Sequence, residues 1–171
     1  CDGIFRFSKT EQNKYALMGK SISDEEKIRF IPASGAASRM FKDLKNFIYG
    51  SDQKNNEFID SFFQDLHKYP FYSDLIYFIQ KYSIPENDKI RIIKLMLESN
   101  GLSYGNKPKA FIPFHTYDDG VKTPIEEHLS ECLKLFHHQM NIHFTPQEIF
   151  FSEAEEMIQD FSKNYDFFIF N

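Results

Sequence analysis

Residues 33–39 of this 171-residue chain read Ala-Ser-Gly-Ala-Ala-Ser-Arg. A run of small side chains lets an anion come close to backbone N–H groups, and a helix opening directly behind it adds its positive end. Ala33, Ser34, Gly35, Ala36, Ala37 and Ser38 therefore form a candidate phosphate-binding loop, with the Ser34 and Ser38 hydroxyls as further donors. The same residue types also suit a tightly packed strand-to-helix turn. Arg39 follows the loop, where its planar fork could fold back over a bound anion. Arginine is scarce here, with Arg6, Arg29, Arg39 and Arg91 set against 16 lysines, so each guanidinium stands where lysine might not serve. The loop lacks the Gly-Lys-Ser/Thr ending of a Walker loop and is not Gly-x-Gly-x-x-Gly.

A second cation stands in Lys107-Pro108-Lys109-Ala110-Phe111-Ile112-Pro113-Phe114. Proline holds the local backbone extended, so Lys109 can project in a fixed direction toward a second anion. Two lysines around a proline otherwise make an ordinary solvated loop. His115, just beyond, is a candidate for lining a substrate cleft. The other imidazoles and thiol (His128, Cys132, His137, His138, His143) match no recognised zinc spacing, and no Ser/His/Asp arrangement can be argued. Asp118-Asp119 precedes Gly120 in a predicted turn and is not assigned to a metal, so no metal ligand is named.

The elements that must position these residues follow from the apolar periodicity. Residues 27–32 read as a short strand running into the loop, after the acidic Asp24-Glu25-Glu26. Met40, Phe41, Leu44, Phe47 and Ile48 then mark one face of a helix. Three more helical stripes follow: Phe58, Ile59, Phe62, Phe63 and Leu66; Phe71, Tyr72, Leu75, Ile76 and Ile79; and Ile92, Ile93, Met96 and Leu97. Asn100-Gly101 stops the last of them. Residues 41–107 thus read as a helical insertion. Residues 110–114 look extended, and Thr123-Pro124-Ile125-Glu126 is a full helix-start signature. The helix it opens carries Ile125, Leu129, Cys132, Leu133 and Phe136. Met140–Phe144 reads as a buried strand, Thr145-Pro146-Gln147-Glu148 as a second helix start leading to about Lys163, and 167–170 as a third strand. Strands alternating with helices predict a mainly parallel sheet covered by helices.

Taken together, these segments resemble the sugar-phosphate nucleotidyltransferases (nucleoside-diphosphate-sugar pyrophosphorylases). Their first strand leads into Gly-x-Gly-Thr-Arg-Met, followed by Pro-Lys and then a Pro-led helix start. Gly35, Ser38, Arg39 and Met40 stand at the corresponding places, as do Pro108-Lys109 and Pro124-Ile125-Glu126. The runs at 32–42, 123–129 and 143–145 look like an uncharacterised bacterial family within that superfamily, and the resemblance covers about 28–171. Ala37 stands in place of the second glycine. Arg39 and Lys109 are 70 positions apart, far more than in the characterised enzymes.

The resemblance implies a Rossmann-like nucleotide-diphospho-sugar transferase fold and nucleotidyl transfer from a nucleoside triphosphate to a sugar phosphate or similar small phosphate. It gives the phosphates of the nucleotide to 33–38, the departing pyrophosphate to Arg39, and the α-phosphate with the incoming phosphate to Lys109. It also implies Mg²⁺, whose aspartate in that superfamily lies on a later strand. Alternatives are a non-catalytic nucleotide- or phosphosugar-binding module, and a glycosyltransferase on a related fold, which would need a carboxylate motif not found here.

Composition narrows the partners. With 42% apolar and 26% charged residues the chain is ordinary globular material rather than disordered. A net charge of -5 argues against long nucleic acid as a partner. No apolar run approaches the roughly 18 residues of a membrane helix. Two cysteines cannot make a disulfide framework, which predicts a reducing, cytoplasmic setting. Cys1-Asp2 alternatively matches the start of a processed bacterial lipoprotein. The start at Cys1 and the closing apolar run predict one partial domain, 1–171, from the front of a longer protein.

Overall fold

The computed structural model describes residues 5–21, 28–50, 57–135, 140–163 and 168–169. Cys1, Asp24–Lys27, Phe136, His137, His138, Phe167 and Phe170 lie outside the described residues.

The chain is a mixed α/β protein, mostly helical. Helix α1 (Lys9–Ser21) buries none of its residues. Strand β1 (Ile28–Ile31) leads through the small-residue loop to α2 (Lys42–Tyr49), and α3 (Glu57–Gln64), α4 (Tyr72–Lys81) and α5 (Lys89–Leu97) follow. The hairpin β2 (His115–Tyr117) and β3 (Gly120–Lys122) precedes α6 (Pro124–Leu135). Strand β4 (Met140–Phe144), α7 (Phe151–Lys163) and β5 (Phe168–Ile169) complete the order.

Strand β4 lies between β1 and β5 in a three-stranded parallel sheet. Ile31 pairs with Phe144 and Arg29 with Ile142, which puts these four on one face. There Ile31 and Ile142 pack with Ile125, Leu129 and Cys132 of α6 and with Ala154 and Ile158 of α7. The other face carries Ile28, 70% exposed, and Phe30, 60% exposed, with His143 stacked on Phe30. The expected parallel direction holds, but no full Rossmann-like sheet is evident among the described residues. The strands are short, and helices α6 and α7 cover one face.

The helices α2–α5 gather a second core. Ala37, Phe41, Leu44 and Ile48 are buried at helical spacing and meet Ile59, Phe62, Leu75, Ile93 and Met96. Met40, expected on that stripe, is exposed instead, because the helix begins at Lys42 and Ala37 takes the inward position. After α5 the chain doubles back: the N–H groups of Leu102, Tyr104 and Gly105 donate to the carbonyls of Leu95, Met96 and Leu97. These are carbonyls the helix end would otherwise leave unpaired.

Two local expectations are corrected. Residues 110–114 are not uniformly extended: Lys109–Phe111 form a 3-10 turn, closed by Phe111 N–H donating to Pro108. The turn sends Phe111 into the sheet core and Ile112 into the helical core, which two neighbours on one strand face could not do. Thr145 opens no helix; a 3-10 turn at Glu148–Phe150 precedes α7. The Thr123 signature is realised in full, with Glu126 accepting from both the backbone N–H and the hydroxyl of Thr123.

Candidate functional site

The small-residue loop lies at the carboxyl end of β1, beside the carboxyl end of β4, where open parallel sheets present ligand sites. Its backbone is held at two points. The Gln147 side-chain amide donates to the Ser34 carbonyl at 3.1 Å, and Lys109 N–H donates to the Gly35 carbonyl at 2.9 Å. Ala36 also bridges Pro108 in antiparallel fashion, and Pro108 is fully buried. Two segments 70 positions apart in sequence thus run edge to edge. The Pro-Lys segment therefore braces the loop directly.

Burial divides the small residues into two groups. Ala33 and Ala37 are 1% and 2% exposed, so packing explains their size. Ser34, Gly35, Ala36 and Ser38 are exposed. A Cβ built at Gly35 would meet nothing within 4 Å, and Gly35 does not occupy the left-handed backbone region. Neither packing nor conformation calls for glycine there. Ala37, in place of a second glycine, turns its methyl into the helical core rather than toward the loop's open side.

Charge placement follows the same division. Arg29 pairs with Glu131, Arg91 with Asp88 at 3.1 Å, and Lys107 with Glu153 at 2.7 Å. Arg39 and Lys109 are exposed and meet no carboxylate among the described residues. The first turn behind the loop closes with Met40 N–H donating to the Ala37 carbonyl. The N–H groups of Ser38 and Arg39, which precede it, donate to no backbone carbonyl among the described residues. Two uncommitted cations and open N–H groups at one helix start can together hold a multiply charged anion.

His115 sits apart from the loop, on β2. Its Nδ1 lies 3.2 Å from Glu127 Oε1, and Tyr117 of the same strand also donates to Glu127. The Tyr117 hydrogen bond, then that of His115, holds the Glu127 carboxyl below its ordinary range, and Glu127 in turn pushes the Tyr117 hydroxyl up. Lys122 lies over the Tyr117 ring, 4.8 Å from its centroid, and pairs with Asp119 at 3.4 Å. Asp118 and Asp119 form the hairpin turn, where Gly120 takes φ +131. Cys132 is buried and its thiol pushed up by burial, while His128 leans toward Glu131. Among the described residues, no group of three or more His, Cys, Asp or Glu side chains could hold a metal ion.

One comparison with known proteins places the whole chain. The chain belongs to the DUF4301 family. That family is described as a domain of unknown function, and the match spans residues 1–169. No curated protein and no solved structure matches the chain. Membership of the family assigns no chemistry, so the site must be argued from its own residues.

Gln147, Glu127 and Tyr117 were not singled out from the sequence. Glu127 stands next to Glu126 in a first helical turn, a faint signal: one carboxylate caps the helix, and the neighbour is turned toward the hairpin. Gln147 carried no signal, because its partner is a carbonyl 113 positions away. No described helix is long and apolar enough to cross a membrane.

Proposed function

We propose that the DUF4301 chain forms a nucleotidyltransferase-like site of Rossmann-like descent, in which loop 33–38 takes the phosphates of a nucleoside triphosphate. The observation that carries the reading is the junction of Lys109 N–H with the Gly35 carbonyl at 2.9 Å. It brings the Pro-Lys segment against the small-residue loop, as the motif order of the resembled enzymes requires. Arg39 and Lys109, both without a carboxylate partner among the described residues, supply the positive charge.

In this reading the phosphate oxygen of a sugar phosphate or similar small phosphate attacks the α-phosphorus. The bond from that phosphorus to the β-phosphate bridging oxygen breaks, and pyrophosphate leaves. The chain contributes position and charge rather than a covalent nucleophile. Open N–H groups at Ser38 and Arg39 hold the phosphates, Arg39 stabilises the leaving pyrophosphate, and Lys109 draws the α-phosphate and the acceptor together. Mg²⁺, which the resemblance implies, finds no candidate ligand group among the described residues, so no step here runs through a metal.

The test is incubation of the full-length protein with each nucleoside triphosphate, Mg²⁺ and a panel of sugar phosphates, with pyrophosphate as the readout. Release that depends on one nucleotide and one acceptor supports transfer. Saturable nucleotide binding without release across the panel would establish the non-catalytic binding module instead. No binding at all would remove the phosphate assignment of loop 33–38.

A further inference from the structure

The helical core opens on one side into a cleft of about 540 Å³ between α3, α4 and α5. Ligand sites typically measure about 300–1,000 Å³ and combine apolar walls with a few polar groups. None of residues 33–39 or 107–109 lines this cleft, so it is separate from the phosphate loop. Phe63, Tyr72 and Ile76 form its walls, each half-buried, and the buried Ile92 lies beneath them. A solvated helix surface would carry polar residues at such positions.

The charges at the rim are unequally matched. Lys89 is held by Asp60 at 2.5 Å and lies 5.4 Å from the centroid of the Phe63 ring. Glu86 also lines the cleft and has no ion-pair partner among the described residues. With Lys89 neutralised by Asp60, the uncompensated charge is the Glu86 carboxylate. His67 and Gln80 add hydrogen-bond acceptors at the rim. Aromatic faces attract cations through the negative face of the ring, and Phe63 already holds an ammonium in this way.

We propose that this cleft binds a small organic cation, an ammonium group carried on an aromatic or branched alkyl body. The body lies against Phe63, Tyr72 and Ile76, and the cationic head faces Glu86. This site is independent of the nucleotidyl-transfer reading and stands or falls without it.

The test titrates the full chain with benzyltrimethylammonium, with uncharged phenylethanol and with anionic phenylacetate, followed by calorimetry and by amide chemical shifts. The cation should saturate, shift the amides around Tyr72 and Ile76, and bind about tenfold more tightly than either control. Glu86→Gln, at an exposed position, should weaken the cation about fivefold and leave phenylethanol unchanged. Ile76→Trp should fill the cleft and abolish binding, with circular dichroism reporting that the variant is folded. If Ile76→Trp does not fold, Glu86→Gln and the shift map decide alone. Absence of saturation at millimolar concentration, equal binding of phenylacetate, or indifference to Glu86→Gln would each overturn the proposal.

Discussion

Lys109 and Gly35 share a backbone hydrogen bond of 2.9 Å across 74 positions of sequence, and Ala36 bridges Pro108 beside it. A loop of small residues would otherwise be free to sample many conformations, each with its own order of N–H directions. Pairing with a buried proline segment fixes one of them. Preorganisation of this kind lowers the ordering cost on binding an anion.

Gly35 and Ala37 separate ligand approach from packing. Gly35→Ala should leave thermal stability within about 0.5 kcal/mol, because a Cβ there meets open space. Nucleotide affinity should nonetheless fall, since a methyl group stands where a phosphate would approach. Ala37→Leu should cost about 1–3 kcal/mol by overpacking the helical core. Thermal unfolding and nucleotide titration of both variants measure the contrast. Unchanged nucleotide affinity in Gly35→Ala would place the ligand away from that residue.

Arg39→Ala and Lys109→Ala should each lower pyrophosphate release in the full-length protein by about 100- to 1,000-fold. Both side chains are exposed and lack a carboxylate partner among the described residues, so unfolding temperature should hold. Wild-type rates in both variants would sink the roles assigned to them.

The adjacent carboxylates Glu126 and Glu127 should separate in the same way. Glu126→Ala removes the cap on α6 and should cost about 1 kcal/mol in denaturant unfolding. Glu127→Gln leaves that cap intact. It should instead return the Tyr117 hydroxyl toward its ordinary pKa of about 10, followed by carbon NMR of the labelled ring.

The tie from β2 to α6 should also depend on acidity, with a sign set by Glu127. Its carboxyl titrates lower in the folded chain than unfolded. The stabilisation is therefore fully present above the ordinary carboxylate range and is lost as pH falls through the lowered folded value. Amide exchange in residues 115–122 should accelerate, relative to the rest of the chain, only in that acid window. The same window in Glu127→Gln would assign the effect to another group.

Local chemistry made much of the chain legible from sequence. The stripes of α3, α4 and α5, the Thr123–Glu126 cap and the Asp119-Gly120 turn depend on neighbours within one helical turn or one hairpin, and such neighbours are visible in a linear string. The turn at Lys109–Phe111 was misread as extended, because Phe111 and Ile112 are drawn into two different cores. Where Met40 points was likewise decided by the entry of α2 into its core.

By itself, the sequence determined that a strand runs through small residues into a helix, and that Arg39 and Lys109 are the cations to watch. Only tertiary structure decided which of those small residues face the core and which face open space. Ala33 and Ala37 resemble Gly35 and Ala36 as letters, since size alone does not encode direction. It also decided that Lys109 reaches the loop at all, through a hydrogen bond whose partners lie on opposite sides of a helical insertion. Long-range pairing of this kind depends on how two cores pack, and no local pattern in the sequence records it.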